Sequence, residues 1–175
     1  AYRANRLRVV RQVRYSLANE NSIDLVLFLN GLPVATVELK TDSTQSIQDA
    51  VDQYRFDRLP RPRGQAREPL LDFPAGALVH FAVSNQEVRM ATRLEGKETG
   101  FLPFNLGDDG RAGNPVNPKG GHRTAYLWEE VWARESWLQL IGRYIIPEKD
   151  EKKDLTRYIF PRFHQLDATR RLVHA

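Results

Sequence analysis

The chain has no cysteine among its 175 residues. That excludes a disulfide framework and any thiolate metal site, and it fits a cytoplasmic protein. No apolar run approaches the roughly 20 residues needed to cross a bilayer, and no signal peptide is visible. A phosphate-binding Gly-x4-Gly-Lys-Ser/Thr loop is also missing. The glycine-rich segment GNPVNPKGG at 113–121 lacks that form, so no ATP site is expected. What remains is a globular composition, 41% hydrophobic and 27% charged, long enough for one domain with its own core and an appended piece. The net charge of +4 suits a polyanionic partner, although basicity of this size is common.

The stretch that organises the rest is Ser22–Lys40, SIDLVLFLNGLPVATVELK. Two apolar runs, Ile23–Leu29 and Pro33–Leu39, flank an Asn-Gly turn, a strong hairpin signal. Asp24, Glu38 and Lys40 are charges set into these otherwise apolar strands. Side chains two apart in a strand share a face, so Glu38 and Lys40 point the same way. The face of Asp24 depends on register. A three-residue loop, Asn30-Gly31-Leu32, sets Leu29 opposite Pro33 and Asp24 opposite Glu38. A two- or four-residue loop turns Asp24 to the other face unless a bulge intervenes.

Two desolvated acids repel unless a cation joins them. Paired carboxylates are hard oxygen donors suited to Mg²⁺, and a neighbouring lysine can orient or activate an attacking water. Such a set is equipped for phosphodiester hydrolysis. The plain alternative is a surface hairpin carrying a Glu-Lys ion pair.

The remaining segments read as follows. Residues 1–21 alternate imperfectly (Leu7, Val9, Arg11, Val13, Tyr15) and predict a strand beside the hairpin, with Gln12 a candidate to face the acids. Thr41-Asp42-Ser43-Thr44 resembles a helix cap. Ile47, Ala50, Val51 and Tyr54 then predict a helix over about 44–58. Arg55, Arg58, Arg61, Arg63 and Arg67 surround a proline-containing loop, either as phosphate contacts or as a merely exposed loop. Ala77–Ser84 and Glu87–Leu94 predict a second hairpin, with His80 a sheet histidine rather than a base. A long irregular loop spans 96–121, a helix is expected over 124–146, and Pro147–Asp154 reads as a charged linker before a last strand or turn and helix.

The pattern of Asp24, thirteen residues, then Glu38-Leu39-Lys40 resembles the core of the PD-(D/E)xK nuclease superfamily. FLNGLPVATVELK with the helix after it, then YLWEEVW and YIFPRFHQLDA, resemble in order the N-terminal region of the restriction (R) subunit of type I restriction-modification enzymes. Three features depart from the pattern. Ile23 stands where the superfamily has proline, Asp57 stands four residues after Gln53 where a tyrosine is common, and the chain begins at Ala1 rather than methionine.

The resemblance implies an α/β fold with a mixed central sheet flanked by helices. It implies an Mg²⁺-dependent DNA endonuclease cut from a longer subunit. Asp24 and Glu38 would hold the ion with the Leu39 carbonyl, Lys40 would act on the water, and Gln53 would lie beside the site, unless it is a solvent-facing glutamine. Arg61 and Arg63 would approach double-stranded DNA. Residues 1–146 would form the nuclease domain. Residues 147–175 would be the linker and the start of a helicase-type motor, where Gln165 would read adenine; ATP enters only through that motor, which is not in this chain. The implied partners are modification (methyltransferase) and specificity subunits, in the cytoplasm and without a membrane. A non-catalytic DNA-binding module and a subunit-docking domain, the latter suggested by the tryptophan-rich helix, are the alternatives.

Overall fold

The computed structural model describes residues 2–41 and 45–173. Six strands form one mixed sheet in sequence order: β1 (Leu7–Arg14), β2 (Ser22–Leu29), β3 (Leu32–Leu39), β4 (Val79–Val83), β5 (Val88–Ala91) and β6 (Leu102–Pro103). Only β3 and β4 are parallel; every other pair is antiparallel. A parallel pair needs a crossover. Here residues 40–78 supply it, with helix α1 (Ile47–Asp52) inside. The α/β class with a mixed central sheet is therefore the one read from the sequence. β1 and the β4–β5 hairpin also lie where the sequence places them.

The hairpin differs in an instructive way. Leu29 pairs with Leu32, so the loop is the two residues Asn30 and Gly31. Both have positive φ, 53° and 87°, as a type I′ turn requires. That register alone would turn Asp24 away from Glu38. A bulge corrects it: Phe28 pairs with Pro33 but Leu27 pairs with Ala35, leaving Val34 as the extra residue. Beyond the bulge Leu25 pairs with Val37, so Asp24 falls opposite Glu38. Pro33 sits beside the bulge, where a missing N–H costs the ladder little.

The sheet is covered on both faces. Ala35, Val37, Val79, Phe81 and Val83 pack with Tyr126, Leu127, Trp137, Leu140, Phe160, Phe163 and Leu166. Phe81 lies edge-on to Phe104, Trp132 and Phe160 at 5.7 to 6.0 Å between ring centres. On the opposite face Ala82 meets Ile47, Ala50 and Val51 of α1, and Val26 meets Tyr54. Cross-strand pairing of Thr36 with His80 and of Glu38 with Ala82 puts Thr36 and Glu38 under α1.

The helices depart from the sequence reading at their ends. Residues 42–44 of the expected cap lie outside the described residues. Ser46 begins α1 instead, its N–H donating to the Asp49 carboxylate. The helix continues as a π-helical turn over Gln53–Asp57, where the Arg58 N–H donates to the Gln53 carbonyl at 2.9 Å.

The expected 124–146 helix is broken into a π-helical turn (Leu127–Val131), α2 (Arg134–Gln139) and a further turn over Leu140–Tyr144. Extending the Leu127–Val131 stripe would bring Arg134 and Glu135 inward. The break at Trp132–Ala133 resets the phase so that Trp137, Leu138 and Leu140 are buried instead.

The expected charged linker is a hairpin. β7 (Ile146–Lys149) pairs with β8 (Leu155–Ile159) around a turn in which the Asp150 carboxylate accepts the Lys152 and Asp154 N–H groups. Helix α3 (Phe163–Val173) then returns Phe163 and Leu166 to the main core. Among the described residues no helix is long and apolar enough to cross a membrane.

Candidate active site

Glu38 is the most unusual side chain in the molecule: a carboxylate at 1% exposure in the middle of a sheet. Its Oε1 accepts a hydrogen bond of 2.8 Å from Nε of Arg58, which is itself buried. Burial pushes the Glu38 carboxyl up to about 7; the Arg58 guanidinium pulls it down, and the neighbouring Asp24 raises it by charge and by hydrogen bonding. The two acids therefore meet, as the register requires.

Asp24 is held from two sides. Its Oδ2 accepts the Leu39 N–H at 2.8 Å, and its Oδ1 accepts Nε2 of Gln12 at 2.9 Å. Gln12 in turn accepts the Ser22 hydroxyl at 3.1 Å. Gln12 has φ of 49°, a left-handed conformation inside a strand, which costs a non-glycine residue on the order of 1 kcal/mol. Such strain persists where surrounding contacts demand it. Here those contacts fix an amide on the Asp24 carboxylate.

Lys40 stands at the margin of the pair. Its N–H continues the parallel ladder to the Val83 carbonyl at 2.8 Å. Asp49 is held below its usual carboxylate value first by hydrogen bonds from Ser46, with the Lys40 charge adding to the effect. The ammonium thus acts toward the start of α1, while the charges acting on Glu38 are those of Arg58 and Asp24.

Gln53 ends α1 with its side-chain oxygen buried and without a hydrogen-bond partner among the described residues. Arg61 is engaged with Asp72 at 2.8 Å, and Arg67 lies 3.7 Å from the same acid. Arg63 is exposed. Gln165 is far along the chain, in the first turn of α3, where its oxygen accepts the Arg162 N–H at 2.9 Å. The tryptophans divide: Trp137 is core, Trp132 is half-buried, and Trp128 is 43% exposed.

Two residues away from Glu38, on the same face, lies a second polar cluster. The Thr36 hydroxyl lies 2.9 Å from the Tyr54 hydroxyl and 2.7 Å from Nδ1 of His80. Burial pushes His80 down to about 3, so it is neutral at physiological pH. It is a structural histidine, as the sequence suggests.

Residues 1–99 match the family of the type I restriction enzyme R protein N terminus. The chain belongs to this family. No curated protein matches it. Family membership associates the chain with DNA and with a multi-subunit restriction enzyme, and it suggests a nuclease. The matched residues contain β1 to β5, α1 and every group described above around Asp24 and Glu38.

Carboxylate and carbonyl oxygens are the donor type that magnesium prefers. Asp24 and Glu38 offer carboxylate oxygens, and the Leu39 carbonyl lies between Glu38 and Lys40 in sequence. No group of three His, Cys, Asp or Glu able to hold a metal occurs among the described residues. A two-acid site suits an ion that keeps several of its waters, rather than one needing an all-protein cage. Arg58 is the participant that sequence reading left among the loop arginines. Its aim is set by the π-helical turn before it, which the sequence pattern does not announce.

Proposed function

We propose that this chain carries the Mg²⁺-dependent DNA endonuclease site of a type I restriction R subunit. One observation carries the reading: the Val34 bulge brings Asp24 opposite Glu38, so two acids meet in a half-buried site. Nothing in the packing of a sheet calls for that meeting: adjacent buried acids are destabilising, and the fold has to bury Arg58 beside them as a counter-charge.

Asp24, Glu38 and the Leu39 carbonyl would hold the ion. When bound, Mg²⁺ lowers the pKa of its water and stabilises charge on a phosphate oxygen. Lys40 would orient the attacking water and stabilise the negative charge that develops on the phosphate. The water oxygen bonds to phosphorus as the P–O bond to the leaving oxygen breaks; the water gives one proton to solvent and the leaving oxygen takes one from solvent. Gln12 and the Leu39 N–H keep Asp24 aimed at the site, and Gln53 offers its unpaired oxygen to the hydrated ion or the DNA. Arg63 approaches the DNA backbone more readily than Arg61, which Asp72 already engages.

In the intact enzyme the sheet and the elements packed on it, α3 included, act as the nuclease unit, and 147–175 lead from it toward an ATP-driven motor in which Gln165 reads adenine. Methyltransferase and specificity subunits in the cytoplasm supply the target. The test is Mn²⁺ calorimetry on the chain as it stands, with Asp24→Asn and Glu38→Gln beside it. Wild-type binding lost in both variants supports the reading. Equal binding in all three overturns it.

A further inference from the structure

The Arg58–Glu38 pair is not an ordinary ion pair. The Glu38 side chain is 1% exposed and that of Arg58 11%, and their contact of 2.8 Å lies under α1. The guanidinium offsets the charge of Glu38, which the neighbouring Asp24 makes harder to keep ionised. It arrives there through the π-helical turn over Gln53–Asp57, whose extra residue redirects the chain just before Arg58.

Arg58 also borders a polar cavity lined by Tyr15, Asn21, Asp57, Gln65 and Glu68. Glu68 is a second buried acid, 5% exposed, whose Oε1 accepts the Ser16 hydroxyl at 2.6 Å. Arg58 is therefore engaged with Glu38 and shares a cavity with Asp57 and Glu68.

We propose that Arg58 is the built-in counter-ion of the metal-free site, and that it yields Glu38 to the divalent cation by turning toward the Glu68 cavity. This rests on the metal-site reading above and adds a positioning residue to it. The physical reason is competition for one oxygen. A guanidinium donating to Glu38 Oε1 and a magnesium ion ligated by the same carboxylate place two cations within a few ångströms, and their repulsion in a dry site is large. Glu68 offers the displaced guanidinium a compensating charge, so the exchange leaves neither a buried cation nor a buried acid unpaired. Arg58 keeps the Glu38 carboxylate pointed into the site until the ion arrives.

The test follows the arginine itself. In the full chain, the Arg58 Nε–H resonance should be protected from solvent exchange without divalent ions and should shift and lose that protection on saturation with Mg²⁺. Manganese calorimetry on wild type, Arg58→Met and Arg58→Lys provides the second arm. With no cation to displace, Arg58→Met should bind Mn²⁺ about tenfold more tightly, and Arg58→Lys should stay close to wild type. Without metal, Arg58→Met should melt at a lower temperature, and Mn²⁺ should raise its melting point by more than it raises that of wild type. An Arg58 Nε–H signal unchanged at saturating Mg²⁺ overturns the exchange, even if Arg58→Met fails to fold. Wild type that binds Mn²⁺ with that signal unmoved would leave the metal site standing and remove Arg58 from it. Wild type that binds no metal overturns both.

Discussion

Two polar clusters lie two residues apart on β3 under the same helix, and they are built on opposite plans. Around Thr36 the groups are neutral: a threonine hydroxyl, a tyrosine hydroxyl and an uncharged imidazole satisfy one another. Around Glu38 the groups are ionic. They are held by an arginine drawn from the end of a π-helical turn and a glutamine in a left-handed conformation. The first plan is how a sheet accommodates buried polarity at little cost. The second costs backbone strain and desolvation, and folding alone gives no return for it. Buried polarity marks a site when its charges need a further partner.

The comparison breaks most sharply in activity. In the intact restriction assembly, Lys40→Ala should lower DNA cleavage by roughly 10²–10³-fold or more, the scale of losing a preorganised charge at a reacting oxygen. Thr36→Val should leave the rate per folded molecule unchanged. Gel assays of cleavage on matched protein concentrations separate the two; wild-type restriction by Lys40→Ala would remove this hairpin from the chemistry.

The clusters should also answer pH in opposite senses. Glu38 has a folded value raised above its ordinary one, so its contribution to stability is full below about 4.5 and is lost as pH rises to about 7. The span corresponds to about 3 kcal/mol. His80 is depressed, so its contribution is present above about 6.5 and is lost as pH falls toward 3. Without divalent ions the two slopes oppose each other between about pH 4.5 and 6.5. Melting of Glu38→Gln across that window should expose the His80 slope alone, with stability falling steadily on acidification. An unchanged pH profile in Glu38→Gln would mean that Glu38 is not the perturbed acid.

A smaller effect belongs to Thr36→Val, which leaves Tyr54 and His80 short of a buried partner and should cost about 1–3 kcal/mol in denaturant unfolding. Its Mn²⁺ affinity should match wild type. Smallest is Gln12→Gly. Relief of the left-handed strain offsets loss of the Asp24 hydrogen bond, so stability should stay within about 1 kcal/mol. Metal affinity should fall a few-fold as Asp24 loosens, and calorimetry with melting curves on one sample reads both numbers.

Much of the fold was legible because periodicity carries it. The β2–β3 and β4–β5 hairpins, the neighbouring β1 and the Ile47–Tyr54 stripe all announce themselves by spacing. The acids were legible because charge inside an apolar run needs explanation. The register was harder. A bulge at Val34 looks like any other apolar residue, so the same Asp24–Glu38 pairing was reached in the sequence through a loop one residue too long. Pro147–Asp154 misled by composition, since its charged residues sit on a two-stranded hairpin too small to need an apolar face. The 124–146 helix misled by continuity, because Arg134 and Glu135 interrupt its stripe. Arg58 escaped because its aim depends on a π-helical turn, and no residue pattern specifies one.

The Val34 bulge makes the site a matter of parity. Deleting one residue there, with the Asn30-Gly31 turn intact, would leave two well-formed strands and turn the β2 side chains from Ser22 to Leu27 over relative to β3. Asp24 would then lie on the opposite side of the sheet from Glu38. Adding one residue to the turn would make the count even again and return Asp24 to its partner. Hairpins of this chain carrying either change alone should fold without the site, and those carrying both should regain it. The two alterations are separately silent to a reader of hydrophobic pattern, yet they act as a matched lock and key on the chemistry.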